Sequence, residues 1–426
     1  MKKPELLIPA GSPEVLKTAI YYGADAVYVG GEAYGLRAKA RNFSVTDLSE
    51  AVRFVHDAGK KLYITANITA HNRDLPGIAE YFRELAEIGP DALIISDPGV
   101  LLLAKENCPE IDIHISTQAN NVNYLTAGFW WEQGAKRIVT ARELSLKEIS
   151  EMREMLPPEM EIESFVHGAM CISYSGRCLL SAYMTGREAN LGACTHPCRW
   201  KYKVYEGETE GQSYEMGPLY LEEEKRPKEY FPVFENERGT YIFNSRDLCM
   251  IDYIPELCKA GIDSFKVEGR MKTALYAAVT ARTYRKAIDD YFTDPELYRS
   301  NREWYREEIG KCTYREYTTG FFFGKPDENT QVYEDNFYIR DYIYLGILTD
   351  CLENTGVFLQ RNKFSVGDVI EVMCPDGENL KRKVLSLKAC DGQEMDCCPH
   401  PKQRVTVTFD GPVYDNMIMR KKGNDR

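Results

Sequence analysis

The chain has 426 residues, of which 44% are hydrophobic, and it carries a formal net charge of −12. Its length suits either two or three domains or one large barrel with an added domain. The negative charge argues against nucleic-acid binding over the whole surface, but it leaves room for a basic groove on an acidic body. No apolar run reaches the roughly 18 residues of a membrane span, and Pro4 and Pro9 interrupt the start of the chain, so we expect a cytoplasmic protein.

Residues 5–290 repeat one unit, in which a short apolar strand precedes an amphipathic helix. Eight strands are predicted in this region, at residues 6–10, 26–30, 62–67, 92–96, 111–117, 137–141, 161–167 and 264–268. The alternation predicts a parallel sheet, and the number eight favours a closed (β/α)8 TIM-like barrel over residues 1–292. A doubly wound open sheet is the alternative, but the first strand is not followed by the Gly-x-Gly-x-x-Gly motif of a dinucleotide site.

One connection is much longer than the others. It lies after the seventh strand, spans residues 168–250, and contains four clustered cysteines. Long insertions are usually functional or disordered, and the cysteines favour function. After the barrel, residues 293–330 predict a helical linker. Short alternating strands over residues 331–426 then predict a small C-terminal antiparallel β-barrel.

The cysteines of the insertion favour a metal centre. Cys171 and Cys178 are separated by six residues, and Cys194 and Cys198 by three. Nothing in the sequence indicates secretion, which makes disulfides a poor explanation. The spacing is looser than the paired knuckles of zinc ribbons, so both zinc and an iron–sulfur cluster remain open. Cys249 is a possible fifth thiol, and small buried side chains are the simpler alternative.

Polar residues gather where the predicted barrel strands end, which is the face that carries the active site in such barrels. Five of them are cationic: Arg37, Arg41, Arg142, Lys266 and Arg270. Arginine forks suit carboxylates and phosphates, so we expect an anionic small molecule, an RNA backbone, or both. The alternative is that these cations pair with Glu143, Glu163 and Glu268 and only close the barrel.

The seventh strand supplies two further candidates. His167 stands at its exit beside Cys171 and suits either an acid/base role or a purely structural one. Glu163 is buried by position, which predicts a raised pKa or a salt bridge. A Cys171–His167 nucleophile pair is conceivable, but the sequence has neither His-Glu-x-x-His nor Gly-x-Ser-x-Gly.

Residues 163–181 resemble the signature of the collagenase-like peptidase family U-32. The fixed positions of that signature are all present: Glu163, Phe165, Gly168, Cys171, Gly176, Cys178 and Ser181. The better understood members are RNA hydroxylases and ubiquinone-pathway hydroxylation factors. In them a 4Fe-4S cluster is bound by cysteines at these positions. The resemblance therefore implies a cluster on Cys171, Cys178, Cys194 and Cys198.

The resemblance extends over essentially the whole chain and is strongest to the tRNA hydroxylation branch of the family. The stretches that carry it are residues 36–43, 116–118, 194–200, 237–248, 266–272 and 364–368. Members of this branch form 5-hydroxyuridine at the tRNA wobble position and depend on prephenate biosynthesis and on iron–sulfur supply. Prephenate carries two carboxylates, which suits paired arginines.

These observations lead to an assignment of residues and to three hypotheses. We assign substrate binding to Arg37, Arg41, Asn42, Gln118, Lys266, Glu268 and Arg270, and catalysis to Arg142, Glu163 and His167. The first hypothesis is a tRNA uridine hydroxylase with a 4Fe-4S cluster, tRNA as its partner and prephenate as a possible co-substrate. The second is a collagenase-like peptidase. The third is a non-catalytic partner that binds RNA through the C-terminal β-barrel.

Overall fold

A computed structural model describes residues 2–32, 42–171, 245–324 and 338–423. It also describes the backbone of three strands between 219 and 241 and the single positions 178, 181, 185, 194 and 198. In these parts of the chain, no helix is both long enough and apolar enough to cross a membrane. Arg37 and Arg41 lie outside the described residues.

Seven consecutive strands begin the N-terminal sheet. They are β1 (Glu5–Pro9), β2 (Ala26–Gly30), β3 (Lys61–Ala66), β4 (Ala92–Ile95), β5 (Asp112–Ile115), β6 (Arg137–Val139) and β7 (Glu161–Ala169). The long connection then contributes β8 (Leu219–Glu222), β9 (Tyr230–Asn236), β10 (Gly239–Tyr241) and β11 (Asp247–Cys249). The eighth barrel strand is β12 (Ser264–Val267), which pairs in parallel with both β1 and β7. This double pairing closes the sheet and confirms the predicted TIM-like barrel.

The helices alternate with the barrel strands as the sequence predicted. They are α1 (Pro13–Tyr21), α2 (Val45–Asp57), α3 (Leu75–Ile88), α4 (Pro98–Asn107), α5 (Tyr124–Glu132), α6 (Leu146–Met155), α7 (Ile254–Lys259), α8 (Ala274–Thr293), α9 (Pro295–Ser300) and α10 (Arg302–Ile309). Capping residues stand at the N-termini of several of these helices. In α6, for example, the Ser145 hydroxyl accepts a hydrogen bond from the amide of Glu148, and the Glu148 carboxylate accepts one from the Ser145 amide.

The end of the long connection returns to the barrel. Strand β11 pairs antiparallel with the exit of β7, and β13 (Tyr317–Thr318) pairs in parallel with β11. Leu248 of β11 faces Gly168 in this register. Residues 247–249 therefore bring the end of the long connection back to the exit of β7.

The C-terminal region forms an antiparallel β-barrel. Its strands are β14 (Tyr342–Leu352), β15 (Thr355–Leu359), β16 (Val369–Met373), β17 (Leu380–Ala389), β18 (Glu394–Met395), β19 (Arg404–Phe409) and β20 (Ile418–Lys422). Pairing of β16 with both β17 and β20 closes this sheet. It has its own hydrophobic core, in which Phe358, Phe364 and Phe409 are buried.

A buried ionic contact joins the two barrels. The Glu308 carboxylate of α10 accepts hydrogen bonds from Arg282 of α8 at 2.5 Å and from Arg420 of β20 at 2.6 Å. Glu308 and Arg420 are 1% and 0% exposed, so the charges meet away from water. The hydroxyl of Tyr22 also donates to the carbonyl of Met373 at 2.8 Å. Polar contacts of this kind fix the orientation of the second barrel on the first.

Candidate active site

A continuous chain of charged side chains runs through the interior of the TIM-like barrel. Lys266 Nζ lies 2.6 Å from Glu163 Oε1, and Arg137 Nη1 donates to Glu163 Oε2 at 2.9 Å. Arg137 also binds Glu5 at 2.6 Å and Glu161 at 2.5 Å, toward the bottom of the barrel. Glu163 is completely buried, and Arg137 and Lys266 are nearly so. Buried charges persist only when they are compensated, as they are here.

The pKa values of this network follow from burial and from the neighbouring charges. Burial lowers the pKa of Lys266 below its usual value, although the Glu163 carboxylate opposes the shift. Burial acts to raise the pKa of Glu5, but Arg137 outweighs it and holds that pKa below its usual value. The Lys266 ammonium therefore releases its proton more readily than a lysine in water.

Arg142 and Glu268 form an ion pair at the mouth, above Lys266. Arg142 Nη2 lies 3.3 Å from Glu268 Oε2, and its Nη1 donates to the carbonyl of Ala169 at 2.9 Å. The guanidinium also lies 4.0 Å from the centroid of the Phe165 ring. Because Lys266 is in register with Phe165 while Glu163 is in register with Ser264, Glu163 lies one layer deeper. A ligand in the mouth thus meets Arg142 and Phe165 before Glu163.

Arg270 reaches into the mouth across a glycine. Its Nη1 donates to Thr65 Oγ1 at 3.0 Å. A Cβ added at Gly30 would lie 2.5 Å from the same nitrogen and 3.4 Å from Asn42 Oδ1. Gly30 therefore leaves the space that the guanidinium occupies. The structure brings together Asn42 and Arg270, both of which the sequence had assigned to substrate binding.

Polar side chains from β3 to β5 line the opposite part of the mouth. Asn67 Nδ2 donates to Ser116 Oγ at 3.0 Å, and Ser96 Oγ donates to the carbonyl of Asn67. Asn67 Oδ1 is buried and has no hydrogen-bond partner among the described residues. Gln118 follows in a short 3-10 turn and is partly exposed. Asn67 thus offers an acceptor that a ligand with a donor group can use.

Simple strand alternation predicts that His167 and Phe165 lie on the same face of β7, but the structure places them differently. A register shift in the β7–β12 pairing, between Lys266 and Val267, turns its ring away from Phe165. The ring packs against Tyr276, Tyr284 and Tyr317, at centroid distances of 5.5 to 5.9 Å. Burial, with a contribution from Lys272, lowers the pKa of His167 to about 3. The imidazole is therefore neutral, and its acid/base role stays a prediction that this packing does not favour.

The cysteines supply the right chemistry for a thiolate-bound cluster. Cys171 is exposed just past the end of β7, and none of the four candidate cysteines is in a disulfide. In the described parts of the chain, three or more metal-binding side chains do not meet in one place, and most of residues 172–218 lie outside those parts. The donor set fits the group, and the cluster itself stays a prediction.

Cys249 lies in a different environment from the other candidate thiols. Its residue is in register with His167, and its sulfur lies 3.9 Å from the hydroxyl of Tyr284. Burial raises the pKa of its thiol to about 12. Metal ligation requires a thiolate, so this environment disfavours Cys249 as a fifth ligand.

Three residues that the assignment omitted belong to this site. Arg137 compensates Glu163, Thr65 holds Arg270, and Asn67 presents the unpartnered acceptor. Each occupies an inward-facing position on its strand or directly after it. A charged residue at the start of an otherwise apolar strand was the available signal for Arg137.

Models of known protein families match nearly the whole chain. The family model described as "Peptidase family U32" matches residues 11–332, and "Peptidase family U32 C-terminal domain" matches residues 340–420. A Bacillus subtilis (strain 168) protein named "tRNA hydroxylation protein P1" is 40% identical over 99% of this chain and 95% of its own length.

Two relatives from Escherichia coli (strain K12) also match. One, named "tRNA hydroxylation protein P", is 40% identical over 94% of this chain and 92% of its own length. The other, named "23S rRNA 5-hydroxycytidine C2501 synthase", is 34% identical over 67% of this chain and 39% of its own length. The family models and the nearly full-length similarity to the two tRNA hydroxylation proteins agree with the barrel and C-terminal domain seen in the structure, and the chain belongs to peptidase family U32.

Proposed function

We propose that the chain is an RNA-hydroxylating enzyme that forms 5-hydroxyuridine at the wobble position of tRNA. The observation that carries the proposal is its 40% identity, over nearly full length, with relatives named for tRNA hydroxylation. A third relative is named for hydroxylation of another pyrimidine base, in ribosomal RNA. The shared element in these names is the hydroxylation of RNA.

The mouth of the barrel supports an anionic substrate or co-substrate. Arg142 and Arg270 reach it from two different strand ends, and Lys266 lies directly below Phe165. Arginine forks bind carboxylates and phosphates in a defined orientation. This arrangement is compatible with prephenate, whose two carboxylates the guanidinium groups would hold, and with a phosphate beside the reacting base.

Cys171, Cys178, Cys194 and Cys198 would hold the 4Fe-4S cluster. When bound, such a cluster supplies one-electron redox chemistry at a potential tuned by its surroundings. The chain's own residues bind and orient the substrate. Phe165 and the ion pair of Arg142 with Glu268 cover the charged interior and would form the floor on which the substrate lies.

The test is nucleoside analysis in a bacterial strain that lacks its own tRNA hydroxylation proteins. Expression of the chain restores 5-hydroxyuridine in bulk tRNA, and expression of Cys194→Ala does not. A strain that also lacks prephenate synthesis fails to restore it unless prephenate is supplied. Absence of 5-hydroxyuridine with abundant wild-type protein would overturn the proposal.

The cluster is tested separately on protein purified without oxygen. We expect about four irons and four sulfides per chain and a broad absorption band near 400 nm. Both decrease in Cys194→Ala. Zinc in place of iron and sulfide would contradict the cluster and leave a zinc site as the explanation of the cysteines.

The described residues do not favour the peptidase alternative. His167 is buried among three tyrosines and its Nδ1 has no hydrogen-bond partner among the described residues, whereas Cys171 is exposed. A cysteine nucleophile needs a base within hydrogen-bond distance. Cleavage of a gelatin or casein substrate that survives the loss of Cys178, Cys194 and Cys198 would revive this alternative.

A further inference from the structure

A large groove separates the mouth of the TIM-like barrel from the C-terminal β-barrel. Residues 11–15 and 270–275 form one wall, and residues 338–344, 361–363 and 421–423 form the other. Its volume is about 1820 Å³. Small-molecule sites usually enclose roughly 300–1,000 Å³, so the interdomain groove is better suited to part of a macromolecule.

The interdomain groove is basic although the protein is acidic. Seven lysine or arginine residues line it, against two carboxylates, Glu14 and Asp341. The chain as a whole carries a formal charge of −12. Concentration of cations in one groove of an acidic body is the pattern expected of a binding path for a polyanion.

Several of these cations are available to a ligand. Arg361 pairs with Glu14, and Lys421 pairs with Asp368. Arg340, Lys363 and Lys422 are exposed, and none of the three has an ion pair with a carboxylate in the described parts of the chain. A cation that is not neutralised by the protein can neutralise a phosphate and release its counterions.

The interdomain groove also presents an aromatic ring among its cations. Tyr338 is 39% exposed, and its hydroxyl accepts from Arg315 Nη2 at 3.0 Å. Lys272 Nζ lies 5.1 Å from the ring centroid and the Arg340 guanidinium 5.9 Å. A partly exposed ring between cations is the arrangement that single-stranded nucleic acids use, with bases stacked on rings and phosphates beside lysines and arginines.

The groove leads to the barrel mouth. Arg270 lines the groove, and its guanidinium reaches Thr65 inside the mouth. Gly11 permits the close approach of these two segments, because a Cβ there would lie 2.1 Å from the carbonyl oxygen of Arg270. The N-termini of α1 and α8, at Ser12 and Thr273, also open toward the groove and add partial positive charge.

From this geometry we infer that the interdomain groove binds a single-stranded segment of the RNA substrate and directs one unstacked base into the barrel mouth. The inference rests on the proposed function for the identity of the RNA, and it adds the surface that holds it. Lys363 and Lys422 neutralise phosphates, and Tyr338 stacks a base next to the one that enters the mouth.

The test measures binding separately from hydroxylation. The full-length chain is titrated into a fluorescently labelled tRNA transcript, and anisotropy is followed at several potassium chloride concentrations. The groove variant is Lys363→Glu with Lys422→Glu. Its matched control is Lys105→Glu with Lys147→Glu, which makes the same charge change on exposed residues of the outer helices α4 and α6.

We expect the groove variant to bind about tenfold or more weakly, with a salt slope lower by about 1.4 to 1.8, as expected for two lost phosphate contacts. The control keeps wild-type affinity apart from a small general effect. Tyr338→Ala weakens binding, whereas Tyr338→Phe, which keeps the ring and loses only the hydroxyl, does not.

The outcomes separate this inference from the proposed function. Wild-type affinity and salt slope in the groove variant would overturn the inference even if the chain makes 5-hydroxyuridine. Weak binding by the variant would support it even if no hydroxylated base is found. Heparin binding serves as a comparison. If the groove substitutions weaken heparin binding as much as tRNA binding, and Tyr338→Ala does not change tRNA binding, the groove is a general anion surface and the inference is overturned.

Discussion

Lys266 and Glu163 form an ion pair of 2.6 Å inside the barrel, where they are 4% and 0% exposed. Arg137 binds the second carboxylate oxygen, so one glutamate compensates two buried cations. We expect Glu163→Gln to destabilise the protein by about 3–5 kcal/mol, because it leaves both cations under-compensated. Urea unfolding measures this.

The matched control for this change is the exposed Glu159→Gln, for which we expect no measurable effect. The double variant Glu163→Leu with Lys266→Met recovers part of the stability, since Arg137 keeps Glu5 and Glu161. If Glu163→Gln unfolds at the same urea concentration as the wild type, the network is not a stability element.

Substitution of Arg142 tests whether the mouth of the barrel is the site of hydroxylation. Arg142→Lys keeps the charge but loses the fork that bridges Glu268 and the carbonyl of Ala169. Loss of one charge-assisted hydrogen bond of about 1.5–3 kcal/mol predicts roughly a 10- to 100-fold lower rate of 5-hydroxyuridine formation. Arg83→Lys, at an exposed arginine of α3, is the control and keeps full activity. Full activity of Arg142→Lys would remove this residue from the catalytic assignment.

Gly30 has a specific role that a single methyl group tests. Gly30→Ala places a Cβ 2.5 Å from Arg270 Nη1, so the guanidinium must leave its position beside Thr65. We expect hydroxylation to fall while unfolding stability changes by no more than about 1 kcal/mol. Gly128→Ala, which meets nothing within 4 Å on α5, leaves activity unchanged. Normal activity of Gly30→Ala would show that the position of Arg270 does not matter.

The buried histidines make the fold sensitive to mild acid. The pKa of His167 is about 3 in the folded protein because of burial, against an ordinary value near 6.5. The unfolded chain therefore binds the proton first, and stability is lost as pH falls from about 6.5 toward about 3. Burial also lowers the pKa of His114.

For His167→Phe we expect the stability difference between about pH 7.5 and about pH 5 to shrink by about 2 kcal/mol. Chemical denaturation at the two pH values measures it, with the exposed His71→Gln as the control. An unchanged difference in His167→Phe would mean that the ring is already charged in the folded state.

Glu308 holds the two barrels together. Burial acts to raise its pKa, but Arg420, Arg282 and Lys311 outweigh it and hold the value at about 2. Its contribution to stability is therefore complete above about pH 4.5 and is lost as pH falls toward about 2. At neutral pH, Glu308→Gln should cost about 3–5 kcal/mol and loosen the C-terminal barrel.

The neighbouring exposed residue provides the control for this change. Glu307→Gln leaves the buried arginines paired and should behave as the wild type. Limited proteolysis between residues 311 and 341 reports on the contact between the barrels. Equal cleavage rates in Glu308→Gln and Glu307→Gln would contradict a role of Glu308 in holding the barrels together.

The barrel was predictable because its signals are local. Apolar runs such as residues 92–96 act over a few residues, and the structure places β4 there, at Ala92–Ile95. The capping box of Ser145 with Glu148, which begins α6, is equally local. The pairing of Lys266 with Glu163 was considered as the alternative to ligand binding, since the sequence places both residues at inward-facing positions of barrel strands. Arg137 was missed although a charge at the start of an apolar strand was a signal, because its partners in the interior are seen only when the barrel closes.

Other features depend on contacts that no short pattern reveals. The register shift beside Val267 turns the ring of His167 toward three tyrosines, and strand alternation alone does not predict such an irregularity. The interdomain groove combines residues near positions 12, 272, 340 and 422, which are far apart in the sequence. The sequence left room for a basic groove on an acidic body, but it did not show which residues form one.

The most direct test of the account is mass spectrometry of the anticodon-loop fragment of tRNA from a strain that lacks its own tRNA hydroxylation proteins. With the wild-type chain, the account predicts a fragment heavier by one oxygen atom, located at the wobble uridine. It predicts a smaller modified fraction with Arg142→Lys and an unmodified fragment with Cys194→Ala. An unmodified fragment with abundant wild-type protein, or an oxygen atom at another nucleotide, would contradict it.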